Sequence, residues 1–431
     1  MTPSARLAES ISLLAGVKAA GTRPADAIAN QFFRDRRYIG SGDRRAVSER
    51  VWLVLRSRRR LGWWLARAGL PVTPRLLVAA SLLTGGWRLD GVIQGFSGGQ
   101  YAPSRLNEQE RIALSALDGH TLDHPDMPPA VRLEVPDWIL PHLQARFGAA
   151  LPAEMAAMQV AAPLDLRVNL LKTTREAAQA ALAAEGIAAT PTPISPWGLR
   201  VEGRRPVSTG PAFRNGLVEI QDEGSQVLAA LVDAQPEMRV ADWCAGAGGK
   251  TLALAMTMQN RGHIVACDVN AARLDGAVRR LRRAGVHNVE RHLVEPGDKW
   301  AKRRAGSFDR VLVDAPCTGT GTWRRNPDAR LRLTETDLTE LVAKQRGILE
   351  NAARLVRPGG RLVYGTCSLL QAENENQVAD FLAGHAQFRT VPLDQAWTLP
   401  GPVPENDDFL AMTPQRHGTD GFFGAVLERA A

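Results

Sequence analysis

The sequence predicts an α/β protein: a doubly wound, Rossmann-like sheet over residues 217–431, a small β-α-β module within 146–216, and an all-α region over 1–145. Three observations predict it. From Leu217 onward, short β-branched runs alternate with stretches at helical spacing, as repeated β-α units do. Between Leu164 and Leu171 the polarity alternates residue by residue, as in a half-buried strand. Before about residue 145, apolar residues recur at helical spacing and no such alternation is seen.

Length and composition set the outer bounds. A chain of 431 residues is too long for one ordinary domain, so two or three are expected. At 45% hydrophobic and 23% charged it is globular in type. No run of about 18 apolar residues suggests a membrane span. The N-terminus lacks a basic stretch followed by an apolar core, so no secretory signal is expected. Four cysteines without regular spacing do not make a disulfide framework. They point to free thiols in a reducing compartment, the cytoplasm. No CxxC pair occurs, and no metal is expected. A net charge of +8 and a pI near 9.8 make an anionic partner plausible, nucleic acid first.

In the helical region, Ala5–Ala20 and Ala46–Leu65 carry the clearest helical spacing. From Arg34 to Arg67 there are eleven arginines against three acids, with Trp52, Trp63 and Trp64 interleaved. The tryptophans are expected in the core. The arginines are expected to bind RNA or a partner, since a guanidinium grips phosphate at two points. Residues 118–136, rich in Asp and Pro, read as a linker, and Asp137–Phe147 resumes a helical pattern. In the small module, Thr173 or Thr174 caps a helix to Glu185 that Gly186 stops, and Leu199–Val201 is a weak strand.

The expected strands of the last region are Val240–Trp243, His263–Asp268, Val289–Val294, Asp309–Asp314 and Arg361–Ser368. Helices Thr251–Met258, one ending near Ala284, Thr336–Leu355 and Glu373–Leu382 alternate with them. Phe388–Val391 and Phe422–Glu428 are expected to form a hairpin.

Chemistry concentrates at the ends of these strands. The loop Cys244-Ala245-Gly246-Ala247-Gly248-Gly249-Lys250 follows the first strand and opens a helix. Its glycines let backbone approach a ligand, and the helix start can hold an anion. It fits a nucleotide, a dinucleotide or S-adenosylmethionine. It does not fit a Walker-type NTPase, because Cys244 stands where that motif needs its first glycine. Asp268 ends the second strand, where an acid commonly holds a ribose. Glu295, or Asp298 just after it, ends the third. The fourth ends in Asp314-Ala315-Pro316-Cys317-Thr318-Gly319-Thr320-Gly321, where proline stops the strand beside an acid and a thiol. Cys367, in Thr366-Cys367-Ser368, ends the next.

These motifs, with Arg167-Val168-Asn169, Gln221–Ser225, Arg324–Asp328, Glu373-Asn374-Glu375 and Gly418–Phe423, resemble the RsmB/Sun family of RNA (cytosine-5) methyltransferases. The resemblance covers about Leu164 to the end. The N-terminal region resembles, more weakly, the NusB-like RNA-binding domain of this family's rRNA enzymes. Two positions depart from the family pattern: Ala247 where proline is usual, and Glu295 where aspartate is usual.

The resemblance implies S-adenosylmethionine held by residues 244–250 with Asp268, Arg273, Glu295 and Asp314. Lys250 is expected to meet the cofactor carboxylate or to cap the helix. The catalytic set it implies is Cys367, Cys317 and Asp314. A thiolate adding to the 6-carbon of cytosine makes the 5-carbon nucleophilic, and a base later removes the 5-proton. Spacing alone does not say which cysteine attacks. The family uses the Thr-Cys-Ser thiol, here Cys367, and gives the Pro-Cys thiol, here Cys317, a part in release. Cys267 is expected to be buried, and Cys244 to offer only backbone.

Arg324, Arg325, Arg330 and Arg332 are expected along the RNA path. Arg279, Arg280, Arg282 and Arg283 read as a solvated helix face. The implied substrate is small-subunit (16S) rRNA and the expected state a monomer. The alternatives are a tRNA substrate or a non-catalytic ribosome assembly factor.

Overall fold

The structure is a computed structural model that describes residues 1–203, 205–404 and 408–431. The chain forms two compact units: Met1–Val160 with Trp323–Glu335, and Ala161–Thr322 with Thr336–Ala431. No described helix is long and apolar enough to cross a membrane.

The first unit is helical. Its larger helices are Pro3–Ala19, Ala25–Asp35, Ser41–Arg56, Arg58–Arg67 and Pro74–Leu83. Thr2 and Thr73 cap two of them by accepting the amides of Ala5 (3.2 Å) and Leu76 (3.3 Å), each with proline in the first turn. Pro74–Leu83 is buried from Leu76 onward, so it runs through the core against Leu13, Val51, Leu61 and Leu65. The tryptophans are core residues, as expected. Trp64 is buried with its indole N–H on the Leu122 carbonyl at 2.9 Å, and Trp52 and Trp63 pack against the same cluster.

Two expectations fail here. Residues 118–136 are not a bare linker, because Met127, Ala130 and Val135 are buried in the unit. Glu134, fully buried, accepts the first-turn amides of Arg59 (2.9 Å) and Arg60 (3.0 Å) and the Arg60 guanidinium (3.0 Å). A carboxylate at a helix N-terminus answers both the open amides and the dipole. Arg60 is thus a structural ion-pair partner rather than an RNA contact. Arg330 too is structural, through a carbonyl and a ring rather than an ion pair. It is 1% exposed, donates to the Glu134 carbonyl at 3.2 Å, and lies 5.6 Å from the ring centre of buried Trp323. Sequence spacing put Arg330 beside the thiol loop, but the segment that carries it belongs to the helical unit.

The second unit holds two sheets. The small one has strands β1 (Leu164–Val168), β2 (Ala189–Pro191), β3 (Gly198–Val201) and β4 (Val218–Ile220), in the order β2-β3-β1-β4 with antiparallel pairing throughout. Thr174 caps the intervening helix Arg175–Ala184 at 3.2 Å, and Gly186 ends it with φ +73°. A β-α-β unit would pair its strands parallel. The three-residue β2 and β4, too short to alternate visibly, make the sheet antiparallel. β4 also lies beyond residue 216, so the small sheet reaches past its expected end.

The large sheet contains β5 (Arg239–Asp242), β6 (His263–Asp268), β7 (Val289–Leu293), β8 (Phe308–Asp314), β9 (Val356–Thr366), β10 (Phe388–Val391), β11 (Leu410–Met412) and β12 (Phe422–Arg429). The order is β10-β12-β9-β8-β5-β6-β7, with β11 also paired to β12. β5 to β9 pair with one another in parallel, and β12 is antiparallel to β9. β10 pairs with β12 antiparallel, as a hairpin would, but β11 lies in the connection. Successive residues feed opposite layers: Val311 and Val313 pack on one face, Leu312 on the other. Strand order reverses between β5 and β8, and open sheets place ligands at the carboxyl ends beside such a switch.

Candidate active site

The carboxyl ends of β5, β6 and β8 each carry an aspartate. Asp242 is fully buried at the end of β5 and accepts the Thr251 hydroxyl at 2.6 Å; its other oxygen, Oδ1, has no hydrogen-bond partner. Burial pushes its carboxyl up from 3.8 to about 7, and the charges of Asp314 and Asp268 push the same way. Asp268, at the end of β6, accepts the amides of Gly246 and Asn270, both at 2.8 Å. It therefore shapes the glycine loop. Asp314, at the end of β8, pairs with the Lys250 ammonium at 2.7 Å. Lys250 thus reaches across to a carboxylate and does not cap its own helix.

The loop owes its shape to two glycines. Gly246 and Gly248 have φ of +55° and +78°, and a Cβ on Gly248 would stand 3.2 Å from the Ala277 Cβ. Gly248 opens the helix Gly249–Thr257 with no side-chain cap, leaving its first amides for an anionic group of a ligand. Two guanidiniums hold the loop's carbonyls: Arg280 donates to Ala247 (2.7 Å) and Arg167 to Gly249 (2.9 Å). Arg280 and Arg283 also pair with Glu219 of β4. So the basic run on helix Ala271–Ala284 is not merely a solvated face. Burial lowers Arg167 to about 10 without taking its charge near neutral pH. An orphaned carboxylate oxygen, three acids and a left-handed loop fit a ligand with cationic and hydroxyl groups.

The thiols meet. Cys317, after β8, and Cys367, after β9, have their sulfurs 3.4 Å apart, and both are half-buried. The hydrogen bond with Cys367 and then burial hold the Cys317 thiol well above its ordinary value, so it keeps its proton. Burial likewise raises the thiols of Cys244 and Cys267 above their ordinary value, so they keep their protons near neutral pH.

A side chain that sequence reading named only within a motif fixes this pair. Glu373, fully buried, accepts the Thr318 amide (2.8 Å), the Gln345 amide group (2.9 Å), and the hydroxyls of Thr318 and Ser368. Thr318 follows one thiol and Ser368 the other. Gln345 also donates to the Pro316 carbonyl at 3.0 Å, just before Cys317. A carboxylate followed by asparagine after Thr-Cys-Ser was the available signal; its partners were not readable. The Gly321 and Gly421 backbones bond at 2.8 Å, and a Cβ on Gly321 would fall 2.3 Å from the Gly421 oxygen.

Two expected cofactor residues stand apart. Arg273 and Glu295 are exposed, and no bond among the described residues ties either side chain to the loop. Asp298 is engaged by His292 (2.6 Å) and the Trp300 amide (2.8 Å), which leaves Glu295 the more open of the two acids.

Comparison with known proteins adds to this geometry. Residues 229–428 match the family model "16S rRNA methyltransferase RsmB/F", and 135–208 match "Methyltr_RsmF/B-like, ferredoxin-like domain". The chain is 33% identical over 349 residues to a probable ribosomal RNA small subunit methyltransferase B of Synechocystis sp., covering 79% of this chain and 74% of that one. The crystal structure of PH0851 superposes with a TM-score of 0.79 at 26% identity, covering 100% of this chain and 99% of the other. A methyltransferase homolog protein from Pyrococcus horikoshii gives 0.60 at 27%, over 70% of this chain and 100% of its own.

Proposed function

The chain belongs to the RsmB/F family of 16S rRNA methyltransferases, and on that premise we propose that it methylates the 5-carbon of a cytosine in small-subunit rRNA, as a cytoplasmic monomer, through a covalent bond to Cys367. The methyl donor is S-adenosylmethionine, which supplies an electrophilic methyl group. Its proposed binding set is the loop Cys244–Lys250 with Asp268 and Asp314, and Arg273 and Glu295 join it on the family resemblance alone. The acids and the open helix start suit its cationic, hydroxyl and carboxylate groups.

The observation that carries the mechanism is the sulfur pair at 3.4 Å on the carboxyl edge of the sheet. The Cys367 thiolate adds to the 6-carbon of the ring, and the electron pair released into the ring makes the 5-carbon a nucleophile. Asp314 is the acid proposed to bond the ring nitrogen and amino group, which would stabilise charge as the adduct forms. After methylation a base removes the 5-proton, the carbon–sulfur bond breaks, and its electrons return to Cys367. Cys317 keeps its proton and stands beside the departing sulfur, which suits a part in release.

The test uses purified protein, labelled S-adenosylmethionine and transcribed small-subunit rRNA, with bisulfite sequencing to locate the product. Cys367→Ser should abolish transfer while RNA binding persists. Cys317→Ala should leave protein covalently trapped on RNA, seen as a shifted band on a denaturing gel. Transfer by Cys367→Ser, or label on an exocyclic nitrogen, would overturn the mechanism. Label on tRNA alone would move the substrate.

A further inference from the structure

A second concave site lies within the helical unit. A pocket of about 450 Å³ opens between the helices Pro3–Ala19, Arg58–Arg67 and Pro74–Leu83 and the segment that carries Leu331. That volume is within the range of roughly 300–1,000 Å³ usual for small-ligand sites. The floor is apolar: Leu14, Val17, Leu55 and Leu77.

The rim is charged, and most of its charges are spent. Asp328 accepts the Ala25 amide at 3.0 Å and pairs with Arg332. Arg59 is held by Asp137 at 2.6 Å and by the Val135 carbonyl. Lys18 and Arg58 remain: among the described residues neither side chain has a hydrogen bond or an ion pair, and Arg58 feels the charge of buried Glu134 only at longer range. Burial lowers the Arg58 pKa and the charge of Glu134 offsets only part of that, so an arriving anion would relieve the remaining desolvation cost. One turn on, Gly62 keeps the space beside it open; a Cβ there would come 3.4 Å from Arg58 Nη1 and 3.7 Å from Val72.

An occupant must bring an anion for the two cations and a flat apolar body for the floor. An unpaired nucleotide brings both, and the guanidinium plane can stack on its base. A duplex offers phosphates without a free base face, and an acidic peptide offers carboxylates without a ring.

We propose that this pocket binds one unpaired nucleotide of the RNA substrate, with its phosphate on Arg58 and Lys18 and its base on the apolar floor. The proposal rests on the rRNA reading for the identity of the nucleic acid alone.

The full chain is tested for binding to transcribed small-subunit rRNA across a salt series. The double variant Arg58→Ala, Lys18→Ala should weaken binding about tenfold and lower the slope of log affinity against log salt by about one. Gly62→Leu, which fills the pocket and leaves both charges, should weaken binding several-fold. In methylation assays both variants should raise KM for rRNA with kcat unchanged. Crosslinks from 4-thiouridine-substituted rRNA should map to residues 14–21 and 55–62. Unchanged affinity and KM in both variants, crosslinks mapping only elsewhere, or equal displacement by polyglutamate would overturn the proposal. A wild-type chain that binds and crosslinks but transfers no methyl to rRNA would sink the function reading and leave the pocket standing.

Discussion

At the scale of single residues, Glu373 is where one atom exchange should disturb both thiols. Its two oxygens receive four donors from the two thiol loops and Gln345. Glu373→Gln replaces an acceptor with a donor, so those donors no longer all find lone pairs. The loops should loosen, and a displacement of about 1 Å costs on the order of 10²-fold in rate. We expect kcat to fall ten- to a hundredfold with S-adenosylmethionine affinity unchanged, measured by single-turnover assays and calorimetry; a variant with normal kcat would remove Glu373 from the mechanism. Asp242 makes a second prediction. Its folded pKa, about 7, is raised above the unfolded value of about 3.9. Between those values the native state holds a proton that the unfolded state has lost, so stability falls as pH rises from about 4 to 7. Lys250, Asp314 and Asp268 face the same group and tune the midpoint. Asp242→Asn should flatten that slope and be the more stable form at pH 8, as urea midpoints across pH would report; an unchanged slope would assign the titration elsewhere.

At the scale of elements, the glycine loop is held from three sides: Asp268 on β6, Arg280 on the helix Ala271–Ala284, and Arg167 on β1. The small sheet therefore braces the glycine loop, a role its sequence did not announce. Gly248→Ala would force an alanine to φ near +78° with its Cβ 3.2 Å from Ala277. The left-handed conformation alone costs an ordinary residue roughly 1–2 kcal/mol. We expect S-adenosylmethionine affinity about tenfold weaker and a lower melting temperature. Equal affinity by calorimetry would show that the loop reaches its bound form without this glycine. The short strands β2 and β4 also belong to this scale. Three residues do not establish a period, so only their pairing with β3 and β1 makes them strands.

At the scale of the whole molecule, the segment Trp323–Glu335 follows the first thiol loop in sequence yet is built into the helical unit. Trp323 and Arg330 are almost fully buried there, and Asp328 accepts the first amide of the helix Ala25–Asp35. A chain starting at Ala161 would leave that segment without its packing. We predict rapid trypsin cleavage at Arg330 and Arg332 in the truncated protein and resistance in the full chain; equal resistance would show the segment ordered by other contacts. The sequence by itself determined the parallel sheet, the glycine loop, the strand-end acids and the pair of cysteines. Each of these is a local fact: a period of two or 3.6, a residue type forced by φ, or an acid where a strand stops. Tertiary structure alone decided that the thiols lie 3.4 Å apart, that Glu373 fixes both, that Arg60 and Arg330 serve the core, and that Arg58 faces a pocket unpaired. A guanidinium's charge is written in the chain. Whether it meets a carboxylate, a carbonyl or open space depends on residues far away in sequence, which only packing brings near.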